Sequence, residues 1–216
     1  MKVEVWSDFV CPFCYMGKRN LETALEQAPE LDDVTIEYKS YQLDPNSEIA
    51  PGKSMHEALA EKFNTTIDEA RQMNAQIAAQ AKEVGLNYDM DGMQPANTLD
   101  AHRLAKYAEK HGKGPEMAER LLSAYFTEAE LISDHNTLAR LAAEVGLDPE
   151  EVLTMLKSDK FTSKVHADQL TAREIGVQGV PFFVFNEKYA LSGVQPADVF
   201  QEVINTVMEE EKKSLS

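Results

Sequence analysis

The chain has 216 residues, 43% hydrophobic and 27% charged, which suits one large domain or a domain carrying an insertion and excludes a disordered chain. Its 37 Asp and Glu against 21 Lys and Arg leave a formal charge of −16, which repels phosphate backbones and anionic lipid heads. Nucleic acid and membrane surfaces are thereby excluded as partners. No apolar run approaches a membrane span, and Met1–Trp6 lacks the apolar core of a signal peptide, so a cytoplasmic protein is expected.

Lys2–Trp6 alternates polar and apolar side chains and predicts a strand. Ser7–Val10 connects it to a helix whose first turn tolerates Pro12, which has no N–H to lose. Phe13, Met16, Leu21 and Leu25 are spaced to share roughly one face of that helix, and Pro29 is expected to stop it. Val34–Leu43 predicts a second strand, broken by Asp44-Pro45-Asn46-Ser47. Such a strand–helix–strand unit favours a parallel pair with a right-handed crossover.

From Ser54 to about Lys160 the pattern is helical, with Gly85 and Gly146 placed as helix C-caps and residues 87–96 as a loop. A further helix ends near Gly176. Val180–Phe185 is an apolar run of the kind buried on both faces of a sheet, and Tyr189–Gly193 returns as its partner. The last helix, from about Pro196, carries Val199, Phe200, Val203, Ile204 and Val207 on its apolar side, and Glu209–Lys213 is expected to be its solvated, fraying end. The layout is a split α/β domain, 1–45 with 160–216, interrupted by a helical insertion over 46–159.

The only cysteines, Cys11 and Cys14, stand in Cys-Pro-Phe-Cys at the predicted helix start. Two intervening residues bring both sulfurs within disulfide reach across one helical turn. Unpaired N–H groups and the positive end of the helix dipole stabilise a thiolate at Cys11. That makes Cys11 the outer, solvent-reachable nucleophile and a good leaving group, with Cys14 as the resolving thiol. Zinc needs four ligands, and the five histidines are scattered, so no metal is expected.

Gly179-Val180-Pro181 precedes the apolar strand. A cis bond there would leave the Val180 backbone free to pair with an extended substrate beside Cys11. The residues alone favour trans, because only about one X–Pro bond in twenty is cis.

Three stretches, Asp8–Gly17, Asn97–Arg103 and Ser192–Pro196, are similar to the FrnE-type members of the DsbA-like branch of the thioredoxin superfamily. The resemblance implies a thioredoxin-like fold with a large helical insertion, thiol–disulfide exchange with Cys11 as nucleophile and Cys14 as resolver, and a cis Pro181. Relatives that are glutathione-dependent isomerases or transferases commonly hold a serine where Cys11 stands. Their glutathione loops correspond roughly to Val180 and to Gly193-Val194-Gln195. Glutathione binding, as thiol co-substrate, is therefore the alternative.

Val180, Pro181, Phe13, Tyr15, Asn97, His102 and Gln195 complete the candidate substrate-binding set. Phe13 and Tyr15 would shape the rim, while Asn97 and His102 would orient a substrate or pass a proton, or else serve as a helix N-cap and a packed helix residue. Met55, Met73, Met90, Met93, Met117, Met155 and Met208 could line a peptide groove, though scattered helical spacing suits core residues better. The expected function is cytoplasmic thiol–disulfide exchange on peptide, protein or low-molecular-weight thiols and disulfides, served by a redox partner protein. No resident cofactor is required, because the dithiol itself carries two electrons.

Overall fold

The computed structural model describes the chain apart from residues 29, 30, 32, 48–51, 215 and 216, and describes Ser214 by its backbone only. The stop expected at Pro29 lies outside the described residues. Strand β1 (Lys2–Ser7) leads into helix α1 (Pro12–Glu26), and β2 (Thr35–Ser40) returns beside β1. The two are parallel, in register from Lys2 opposite Thr35 to Ser7 opposite Ser40. β2 is shorter than the expected 34–43 because β1 runs out. The Tyr41 N–H takes the last carbonyl, that of Ser7, and the Leu43 N–H turns to the Asp8 carboxylate.

Among the described residues the chain then runs only through helices until it rejoins the sheet. These are α2 (Met55–Phe63), α3 (Ile67–Glu83), α4 (Leu99–Lys110), α5 (Gly114–Thr127), α6 (His135–Glu144), α7 (Pro149–Leu156) and α8 (Thr162–Glu174). Capping boxes Ser54–Glu57 and Thr66–Glu69 open α2 and α3. Gly85 and Gly146 take left-handed φ values of 79° and 87°, letting the Leu86 and Leu147 N–H groups close back on Ala81 and Ala142. Strands β3 (Phe182–Phe185) and β4 (Tyr189–Ser192) complete a sheet of order β2-β1-β3-β4, and α9 (Ala197–Ser214) packs on it.

β3 is antiparallel to both neighbours and is not buried on both faces. Phe183 and Phe185 are fully buried with Val3, Val5, Phe200 and Ile204. Phe182 and Val184 are half-buried, because their face meets a small cluster of Trp6, Ala172 and Val177 with the partly buried Tyr41 and Val180. The end of α9 also departs from expectation. Glu210 accepts hydrogen bonds from Lys188 and the Tyr189 hydroxyl, and Glu211 accepts one from Asn186, so this acidic run clips the β3–β4 turn.

The larger core is helical, built on Leu104, Met117, Leu121, Leu122, Tyr125 and Phe126, and it takes in Phe9, Tyr15 and Met16. Helix α1 therefore packs on both sides. Leu21 and Ala24 meet the sheet core, Tyr15 and Met16 meet the helices, and Phe13, expected on a buried face, is 39% exposed. Buried Lys18 pairs with Glu22 and with Glu119 of α5, while Arg19 also reaches Glu119. Met90, Met93, Met117, Met155 and Met208 are buried core residues, and of these Met155 also borders a surface cavity, beside Tyr107 and Phe161.

Candidate active site

The connection after β1 turns at Asp8, whose carbonyl accepts the Cys11 N–H at 3.1 Å. Cys11 is the N-cap of α1 in an extended conformation, Pro12 occupies the first helical position, and the Cys14 N–H closes onto the Cys11 carbonyl at 3.0 Å. Both cysteines are free thiols lying against each other. The Cys11 thiol donates to the Val180 carbonyl at 3.6 Å, and Cys14 Sγ accepts the Asp8 N–H at 3.5 Å. Burial, and then contact with Cys11, push the Cys14 thiol well above its ordinary pKa.

The Val180–Pro181 bond is cis. Among the described residues the Val180 N–H has no hydrogen-bond partner, while the Pro181 carbonyl holds the Gly193 N–H at 2.8 Å. Gly17 lets α1 approach this loop: a Cβ there would stand 3.0 Å from Pro181 Cγ and 3.1 Å from Phe183 Cζ. One expectation fails. Cys11 is 3% exposed, as enclosed as Cys14, because its sulfur sits in the seam between the start of α1 and the cis-proline loop.

The family model of the DSBA-like thioredoxin domain matches residues 2–205. The chain belongs to that family. This DsbA-like protein is 33% identical to a probable DsbA oxidoreductase from Streptomyces coelicolor, with a TM-score of 0.91 over 97% of this chain and 91% of that one. Its fold is also similar to that of a 2-hydroxychromene-2-carboxylate isomerase, at 18% identity and a TM-score of 0.70 over the whole of both chains. The cytosolic disulfide reductase DsbM from Pseudomonas aeruginosa, solved with GSH, matches at 18% identity and a TM-score of 0.63, over 97% of this chain and 100% of that one.

The remaining candidates in the DsbA-like protein divide. Phe13 is exposed within the turn between the two cysteines and Val180 touches Cys11, so both border the seam. Tyr15 does not shape a rim: it is 2% exposed, and its hydroxyl bonds Glu119 at 2.7 Å. Asn97 is not the N-cap of α4, a place held by Thr98. Its side-chain oxygen takes the Leu99 N–H and its amide spans the Pro45 and Ser47 carbonyls, so it fastens the loop after β2. The Gln195 side chain donates to the Ser192 carbonyl and its own carbonyl accepts from Asn20, which holds the loop before α9 against α1.

His102 is buried, its ring tilted against Phe9 with centroids 4.7 Å apart, and out of reach of a substrate. Its Nε2 meets Asp8 Oδ1 at 3.1 Å. Asp8 is fully buried and also accepts the Phe9 and Leu43 N–H groups. The buried pair is thus linked to Cys14 through the Asp8 backbone, whose N–H bonds Cys14 Sγ. Asp8 had one signal in the sequence, its place three residues before Cys11. Tyr88, whose hydroxyl donates to the Pro12 carbonyl at 2.7 Å, had only its place as an aromatic in a polar loop. Among the described residues no group of three or more His, Cys, Asp or Glu could hold a metal ion.

Burial of Cys14 has a pH consequence. Its thiol is held protonated in the folded chain above the ordinary value of 9.0, whereas the unfolded chain ionises there, so the unfolded state binds fewer protons. Stability is then complete below about pH 9 and falls above it, by up to about 1.4 kcal/mol per pH unit. Urea titrations of the reduced protein between about pH 8 and pH 10 should show this decline, and Cys14→Ala should flatten its first part. An unchanged slope in Cys14→Ala would count against a protonated, buried Cys14.

Proposed function

We infer that the protein exchanges disulfides through its Cys-Pro-Phe-Cys site. The observation that carries this reading is the pair of free thiols at the first turn of α1, facing a cis-proline loop. In the reducing direction, the Cys11 thiolate attacks one sulfur of a substrate disulfide. The substrate S–S bond breaks, a Cys11–substrate disulfide forms, and the other substrate sulfur leaves as a thiolate that takes up a proton. Cys14 then loses its proton and attacks Cys11, which releases the second substrate thiol and leaves a Cys11–Cys14 disulfide. The substrate has gained two electrons and the dithiol has lost them. Run backwards, the same steps oxidise a substrate dithiol.

Because Cys14 is buried and resists ionisation, its proton needs an acceptor close by. In this reading the Asp8–His102 pair is that acceptor, supported by the Asp8 N–H bond to Cys14 Sγ and the bond of its carboxylate to His102. A substrate chain would align on the Val180 N–H and carbonyl, with Phe13 at its side. Access requires Cys11 to exchange its contact with the Val180 carbonyl for the incoming sulfur. In this reading residues 1–45 and 160–216 form the exchanging domain, and the 46–159 insertion backs it with His102. The working compartment is the cytoplasm: both cysteines of the chain are committed to this pair, and none to a structural disulfide.

The test is turnover of a model disulfide, with a small dithiol as the reductant that regenerates the protein. Turnover that needs both cysteines is expected. Its absence in protein whose two thiols are shown to be intact would end the reading. The second reading, a glutathione-dependent isomerase or transferase, is favoured by the shared fold with a 2-hydroxychromene-2-carboxylate isomerase and with a reductase solved with GSH. Glutathione would enter as a cysteine-containing peptide along the same Val180 backbone.

A further inference from the structure

The start of α1 holds a peptide group bonded on one side only. Tyr88 donates its hydroxyl to the Pro12 carbonyl at 2.7 Å. The N–H of that same peptide belongs to Phe13, and among the described residues it has no hydrogen-bond partner. Phe13 is the second residue of α1, and the N–H at that position is one of the two that an N-cap side chain is placed to meet. The other, that of Cys14, is already spent on the Cys11 carbonyl. The N-cap side chain is Cys11.

As a thiol, Cys11 donates to the Val180 carbonyl. A thiolate has no proton to donate, so ionisation breaks that contact and turns the sulfur into an acceptor. The Phe13 N–H is the free donor that the helix start supplies to an N-cap acceptor. A carbonyl that accepts a strong hydrogen bond polarises its peptide and strengthens the N–H on the far side. We propose that Tyr88 is a positioning residue for the dithiol, acting through the Pro12–Phe13 peptide to strengthen the Phe13 N–H as a donor to the Cys11 thiolate. This rests on the disulfide-exchange reading and extends it to the insertion, which supplies Tyr88 from the loop between α3 and α4.

The phenol is held rigidly for this purpose. Its ring stacks on Phe126 of α5 with centroids 4.6 Å apart, and lies near-parallel to Tyr15 at 6.2 Å. The next residue, Asp89, bonds its N–H to the Phe126 carbonyl at 2.7 Å. Burial first, then the proximity of Tyr15, Cys11 and Cys14, push the Tyr88 phenol above its ordinary pKa, so it stays a donor wherever Cys11 works.

Tyr88→Phe removes the hydroxyl and keeps the stack on Phe126. The rate of Cys11 alkylation by a small haloacetamide, followed against pH, should move to higher pH, with about a two- to threefold lower rate on its rising limb. The equilibrium with the glutathione couple should shift about two- to threefold towards the protein disulfide, because the reduced form has lost thiolate stabilisation. A fluorotyrosine placed at 88, a stronger donor, should move both readouts the opposite way. Tyr107→Phe, which deletes a phenol bonded to Glu151 away from the site, should move neither. A Tyr88→Phe profile that superimposes on the wild type, or an equal displacement in Tyr107→Phe, would overturn the proposal. Alkylation reads the Cys11 sulfur without turnover. A wild type that turns over no disulfide, yet shows the Tyr88→Phe displacement, would therefore end the exchange reading and keep this assignment.

Discussion

Cys14→Ser should stop turnover at the mixed disulfide, lowering the steady-state rate by about a thousandfold or more, since loss of one member of a covalent catalytic pair removes most of its effect. Cys11 would still attack a substrate disulfide, because its sulfur and the start of α1 are unchanged. The Cys11–substrate bond would then persist, since serine forms no disulfide. Mass spectrometry should find one substrate sulfur attached per chain, released by added thiol. Cys11→Ser should abolish both turnover and adduct. Cys14→Ser also separates the two functional readings. A glutathione-dependent isomerisation or conjugation has no resolving step, so it would continue in Cys14→Ser at a rate close to that of the wild type. Free turnover of a model disulfide by Cys14→Ser would also remove the resolving role of Cys14.

The second large effect is on stability. Asp8 is fully buried, and its carboxylate is the acceptor for the Phe9 N–H at 2.9 Å, the Leu43 N–H at 2.8 Å and His102 Nε2 at 3.1 Å. Asp8→Ala leaves the buried Phe9 N–H and His102, and the part-buried Leu43 N–H, without this partner, and breaking a buried pair in this way costs about 3–5 kcal/mol. In a chain of this length that lowers the melting temperature by about 10 °C. Denaturant unfolding of the reduced protein measures it directly, and a loss below about 1 kcal/mol would show that Asp8 anchors nothing. Asp8→Asn keeps the shape and one acceptor, so it should fold with a smaller loss. If Asp8 and His102 receive the Cys14 proton, Asp8→Asn should also slow release from the mixed disulfide by about 100-fold. Formation of that mixed disulfide at Cys11 should be little changed.

Much of this site was legible along the chain because its chemistry is local. Cys-Pro-Phe-Cys fixes a proline at the first helical position, a cysteine at the N-cap and a second thiol one turn on, and the structure has each of these. The parallel β1–β2 pair followed from the strand–helix–strand pattern. Errors arose where a second element decides. The strand from Val34 to Leu43 ended at Ser40 because its partner ended at Ser7. The apolar run before Asn186 alternated in burial because only a small cluster around Trp6 covers its second face. Tyr15, adjacent to Cys14 in sequence, was turned away from the seam by Glu119, which lies 104 residues further on.

By itself, then, the sequence determined the reactive pair and its helix start, the strand–helix–strand frame and the helical character of the long middle segment. Each of these is set by spacing within a few residues, where backbone geometry leaves few choices. Only the tertiary structure decided that Cys11 is enclosed against Val180, that His102 backs Asp8 and that Tyr88 grips Pro12. Those partners lie 169, 94 and 76 residues apart, and they meet because two cores pack on opposite sides of α1.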